Sequence, residues 1–194
     1  MVAKKKPRKT PSREVEVEDE LPPLKDTLLS DSAFKQYRRL VKTIEENHDL
    51  DSYYTECITM HSGRLSPTLI GAAVSPEKLS QAVRQDVSYR SRYVKIRVNL
   101  TMQVSALEEA LKAMRRHMAV KYRPWVSHLS LKTDRAEYLN RYLSRGTALA
   151  TRMTTIAKCI DRFVEDIDAC HWQMKIAKDC IELTFGKNSG ERSL

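Results

Sequence analysis

The chain is poor in the residues that build tight turns and sheets. Of 194 residues only 5 are Gly and 7 are Pro, and 7% are aromatic. That scarcity argues against hairpin-rich folds and against a Gly-rich phosphate loop. No apolar run approaches the roughly 18 residues needed to cross a bilayer. The basic opening Met1–Thr10 has no apolar stretch behind it and does not read as a secretory signal. Cys57, Cys159, Cys170 and Cys180 form no CxxC pair, which predicts free, mostly buried thiols in a reducing compartment. These absences predict a soluble intracellular protein without a membrane partner.

Catalytic and metal patterns are missing too. His48, His61, His117, His128 and His171 make no HExxH or His-x-His pair. Cys159, Cys170, His171 and Cys180 match no zinc module, and adjacent positions 170 and 171 would point apart on a helix. There is no G-x-x-x-x-G-K-[ST] and no G-x-S-x-G. Asp161, Glu165, Asp166 and Asp168 read as a solvated acidic patch that pairs with Lys158 or Arg162. The expectation is a non-enzymatic protein with no catalytic residues, metal or cofactor.

Charge is abundant and unevenly spread. The chain holds 34 Lys+Arg against 25 Asp+Glu, a net of +9. Residues 1–13 carry six bases and residues 14–20 five acids, so the opening nearly cancels. The stretch 84–123 has ten Lys/Arg against three acids, and holds most of the excess. Such a concentration is an electrostatic footprint for a polyanion.

The composition and periodicity predict an all-α fold. Residues 1–23 read as a disordered basic-then-acidic tail, 24–80 as a small helical region, 81–185 as a long helical hairpin and 186–194 as a C-terminal tail. A helix should begin near Ser30–Ser32 with Phe34, Tyr37, Leu40, Val41 and Ile44 on one face, followed by a short one from Tyr53 to His61 ended by Gly63. Ser66-Pro67 and Ser75-Pro76 are cap-then-proline pairs that open helices. Tyr93, Ile96, Leu100, Val104, Leu107, Leu111, Met114 and Met118 make a coiled-coil-like seam with one stutter, stopped by Pro124.

After a connector to about Thr133, a second seam steps by threes and fours: Leu139, Tyr142, Gly146, Leu149, Met153, Ile156, Ile160, Phe163, Ile167, Cys170, Met174, Ala177 and Ile181. Arg145-Gly146-Thr147 is the expected kink. Two such helices joined briefly predict an elongated antiparallel hairpin. Tyr138, Leu143, Val164 and Trp172 lie off the second seam and need cover from the N-terminal helices or another copy, so a homo-oligomer is expected.

On the basic helix, with Leu107 as the origin and about 100° per residue, the seam centres at about 15°. Arg97 and Arg115 then fall at about 80°, Arg90 at about 100°, Lys112 at about 140° and Arg116 at about 180°. This cationic flank suits repeated phosphate contacts. The predicted contact set is Arg90, Arg92, Lys95, Arg97, Lys112, Arg115, Arg116, Lys121 and Arg123. Tyr122 and Trp125 join it as base-stacking groups. Tyr93 belongs to the seam and reads as core.

The order of elements carries a family resemblance. A long basic helix, Lys121-Tyr122-Arg123, and then Ile167-x-x-x-x-Trp172-x-x-Lys175-x-Ala177-x-Asp179 resemble the UvsY-type recombination mediators of tailed phages over roughly residues 85–183. The resemblance implies oligomers that bind single-stranded DNA and help load a recombinase onto DNA coated by single-strand-binding protein, without enzymatic activity. It implies the host cytoplasm for a phage protein, whereas the Lys4–Lys9 run reads as a solvated tail with nonspecific attraction, as a basic arm touching nucleic-acid phosphates, or as a nuclear address in a eukaryote. Residues 1–80 have no counterpart in that family. Two other readings stand beside it: a coiled-coil scaffold or virion-assembly adaptor for an acidic protein, and a duplex-DNA binder that uses its tail.

Overall fold

A computed structural model describes residues 23–65 and 76–190. The expected tail over 1–22, the Ser66-Pro67 helix start and residues 191–194 lie outside the described residues. Every element among the described residues is helical: α1 (Leu24–Ser30), α2 (Ser32–Asn47), α3 (Leu50–Ser62), α4 (Pro76–Lys121), α5 (Lys132–Asn140) and α6 (Ser144–Gly190). Short 3-10 turns at Arg123–Val126 and Arg141–Leu143 complete the order. The protein is all-α.

Local chemistry sets the helix ends. The Asp31 carboxylate caps α2 by accepting from the Ala33 and Phe34 N–H groups at 2.7 and 3.1 Å, and the Asp31 N–H closes α1 on the Leu28 carbonyl. One residue thus ends α1 and starts α2, where the sequence predicts a single start. Asp49 caps α3 through the Ser52 N–H, and the Gly63 N–H returns to the Thr59 carbonyl. α4 opens at Pro76 and closes at Lys121, before the turn that holds Pro124.

α4 and α6 form the antiparallel hairpin. Arg90 pairs with Asp168 and Arg97 with Asp161. Seven residues up one helix match seven down the other, one heptad of common register. Tyr93, Leu100, Leu107, Met118, Met153, Ile160 and Ile167 are fully buried along the two seams. Each such side chain contributes at most about 1.5–3 kcal/mol of hydrophobic stabilisation. The expected stutter leaves Val104 half-buried.

The second helix departs from expectation at both ends. Instead of one helix from Leu139 kinked at Gly146, α5 and a 3-10 turn precede α6, which runs unbroken through Gly146. Gly146 has ordinary negative φ. Its missing side chain serves packing, because a Cβ there would strike the Tyr37 hydroxyl. α6 continues to Gly190, past the start of the C-terminal tail expected over 186–194.

The N-terminal helices lie across the hairpin. Phe34, Tyr37, Val41 and Ile44 bury the predicted face of α2, and Tyr37 Oη donates to the Leu143 carbonyl at 3.2 Å. Leu143, one of the off-seam groups needing cover, is buried. Trp172 stays 63% exposed. Just past α3, Arg64 makes a bidentate pair with Asp86 of α4 at 2.7 and 3.0 Å. Both of these side chains are buried.

Candidate nucleic-acid interface

The basic helix does not present all its charges to solvent. Arg90 and Arg97 reach across to Asp168 and Asp161 of α6. Arg92 makes a bidentate pair with Glu56 of α3 at 2.7 and 2.9 Å. Asp161 and Asp168 of the acidic patch on α6 therefore serve α4 in place of the expected local pairing with Lys158 or Arg162, and Asp166 faces His61 of α3 at 3.6 Å. Arg92 and Arg90 have their pKa values raised by these carboxylates, and Glu56 and Asp168 have theirs lowered by the guanidinium hydrogen bonds. Arg115 donates to the Asn140 side-chain oxygen at 3.1 Å.

The exposed Lys121 and the buried Tyr122 converge on the buried Asp31 carboxylate. The Asp31 carboxylate accepts from Tyr122 Oη at 2.7 Å, from Lys121 Nζ and from His117 Nε2. Burial alone would raise the Asp31 pKa. The Lys121, Tyr122 and His117 hydrogen bonds and the Phe34 N–H outweigh it, and hold the carboxyl far below the usual carboxylate range. Tyr122 is fully buried, which removes it as a base-stacking group and corrects that expectation. Trp125 is half-buried and packs edge-on against Tyr122 with centroids 5.5 Å apart.

Four members of the predicted set remain. Lys95, Lys112, Arg116 and Arg123 are exposed and make no ion pair among the described residues. Lys95, Lys112 and Arg116 fall between about 140° and about 240° on the α4 wheel, on the side away from the seam. The same outer side holds Val87, Val94, Val98 and Met102, all exposed. Lys95 stands among these apolar groups towards the start of α4, and Lys112 and Arg116 lie towards its end, with Glu108 and Glu109 between.

Cys57 is buried, and burial foremost pushes its pKa up to about 11. His61 stacks on Phe163 with centroids 4.2 Å apart. Burial, then the nearby Arg64, lowers its pKa and favours the neutral ring. Among the described residues no cluster of His, Cys, Asp and Glu is arranged to hold a metal ion. No helix among them is long and apolar enough to cross a membrane.

Sequence reasoning missed the Asp31 centre, the Arg64–Asp86 pair and a basic surface on α2. Only the last had a visible signal, since Lys35, Arg38, Arg39 and Lys42 stand within eight residues.

The chain matches no protein-family model, no curated protein and no solved structure.

Proposed function

We propose that this chain is a non-enzymatic nucleic-acid-binding accessory protein whose outer α4 face holds the phosphates of a single strand. The carrying observation is that Lys95, Lys112, Arg116 and Arg123 are exposed cations with no carboxylate partner among the described residues. Cations already paired within a fold must break those pairs to meet a phosphate, whereas unpaired ones release only counterions. The contact set thus narrows from the whole flank to these four, with Arg115 beside them. The resemblance to UvsY-type mediators adds the finer reading: an oligomer that helps a recombinase displace single-strand-binding protein.

Fluorescence anisotropy with a labelled oligonucleotide tests this reading. The full chain should bind single strands more tightly than duplex, and Lys112→Gln with Arg116→Gln should weaken binding about tenfold or more. Undiminished binding by that double variant would remove the α4 face from the account.

A specific observation favours a second reading. Val87, Val94, Val98 and Met102 make an exposed apolar stripe along α4, a surface suited to self-association in a helical scaffold. Concentration-dependent mass by sedimentation, abolished by Val94→Lys with Val98→Lys and accompanied by no nucleic-acid affinity, would favour the scaffold.

A further inference from the structure

A cavity of about 390 Å³ opens between α2, the Arg141–Leu143 turn and the start of α6, and no residue of α4 lines it. Its size falls within the range of about 300–1,000 Å³ typical of small-molecule sites. Five basic residues and no acid line it. Lys42 and Arg145 are committed to Glu46 and Glu45. Lys35, Arg38 and Arg39 are exposed and make no ion pair among the described residues.

The rest of the lining is chemically different: Phe34, Tyr37 and Val41 are buried, and Tyr142 is half-buried. Tyr142 is held by Tyr138, whose ring meets it edge-on at 6.2 Å. A plain phosphate would need only the cations, and a plain apolar ligand would gain nothing from them. An aromatic ring carrying phosphate uses both, through stacking on Tyr142 and charge-assisted hydrogen bonds from the guanidiniums.

We propose that this cavity is a nucleotide site, with Arg38, Arg39 and Lys35 holding the phosphate and Tyr142 the base. The proposal stands on residues other than those of the α4 face. A nucleoside phosphate can arrive free or as one unit of a single strand, and both bring the same chemistry.

The test is a titration of the full chain with a fluorescent adenosine triphosphate, using ATP, inorganic tripolyphosphate and a short oligothymidylate as competitors. The labelled nucleotide should bind the native protein at sub-millimolar concentration. Arg38→Gln with Arg39→Gln should weaken it about tenfold or more, and Tyr142→Ala by about tenfold. Lys112→Gln with Arg116→Gln should leave it unchanged, so that failure here and failure of the α4 reading are told apart.

Stronger displacement by ATP than by oligothymidylate assigns the site to a free nucleotide, and the reverse order assigns it to a strand. No binding of either probe up to about 1 mM, or undiminished binding by the arginine variant, overturns the proposal. Equal displacement by ATP and tripolyphosphate with no effect of Tyr142→Ala also overturns it, leaving a phosphate site without base recognition. The exposed arginines carry no core packing, and unchanged helical circular dichroism of their variant verifies that it is folded. Amide shifts in the native protein confined to α2 and the turn at 141–143 would locate the site without any substitution.

Discussion

The Tyr37 hydroxyl occupies the space that a side chain at position 146 would fill, and donates from there to the Leu143 carbonyl. This contact fixes α2 against the start of α6 and explains a glycine inside a long helix. Elsewhere in a helix Gly→Ala would stabilise by about 0.5–1 kcal/mol. Here Gly146→Ala should destabilise by about 1–3 kcal/mol through overpacking, measured by urea unfolding. Adding Tyr37→Phe should recover part of the loss, and a stabilised Gly146→Ala would show that the two helices are not in contact.

Asp31 should make the fold acid-sensitive. Its folded pKa is depressed below the ordinary 3.8, so its stabilisation is present above about pH 4. That stabilisation is lost as pH falls towards the folded value. Asp31→Asn should unfold about 1–3 kcal/mol more easily at pH 7 and show a flatter stability profile between about pH 4 and 2. Thermal melts across that range compare the two proteins; parallel profiles would contradict the role.

Cys57 should resist alkylation. Burial and the raised pKa of about 11 leave little thiolate at pH 8. Mass spectrometry after brief iodoacetamide treatment should find Cys57 unmodified in the native protein and modified in denaturant. Rapid native labelling would contradict its burial.

Arg97 and Asp161 report the register of the hairpin. Arg97→Glu places two acids together and should destabilise by up to about 1 kcal/mol at this half-exposed site. Adding Asp161→Arg should restore most of that. The pair also makes Arg97 a poor probe of DNA binding, because its reversal alters folding as well as charge.

The seams were legible because periodicity is local: Tyr93 to Met118 and Leu139 to Ile167 announce their buried faces by spacing alone. Pro124 marked the end of α4 for the same reason, whereas its start was expected near Val83 and the helix opened by Pro76 proves continuous with it. The Gly146 kink misread a residue whose role depends on Tyr37, more than a hundred positions earlier. Asp31 lies inside the helix start expected near Ser30–Ser32, and nothing local connects it to Lys121 and Tyr122. Likewise the basic stretch was visible as charge, but the carboxylates that neutralise Arg90, Arg92 and Arg97 come from α3 and α6. Side-chain pairing across elements exists only once the seams have set the register.

The salt dependence of single-strand binding tests the central claim most directly. The full chain and its Lys112→Gln, Arg116→Gln variant would be titrated with one labelled oligonucleotide over a series of salt concentrations. Each lost phosphate contact flattens the plot of log affinity against log salt by about 0.7 for single strands. The outer α4 face predicts steep loss of affinity with salt, and a slope about 1.4 shallower for the double variant. Identical slopes for both proteins, or no binding at low salt, would contradict it.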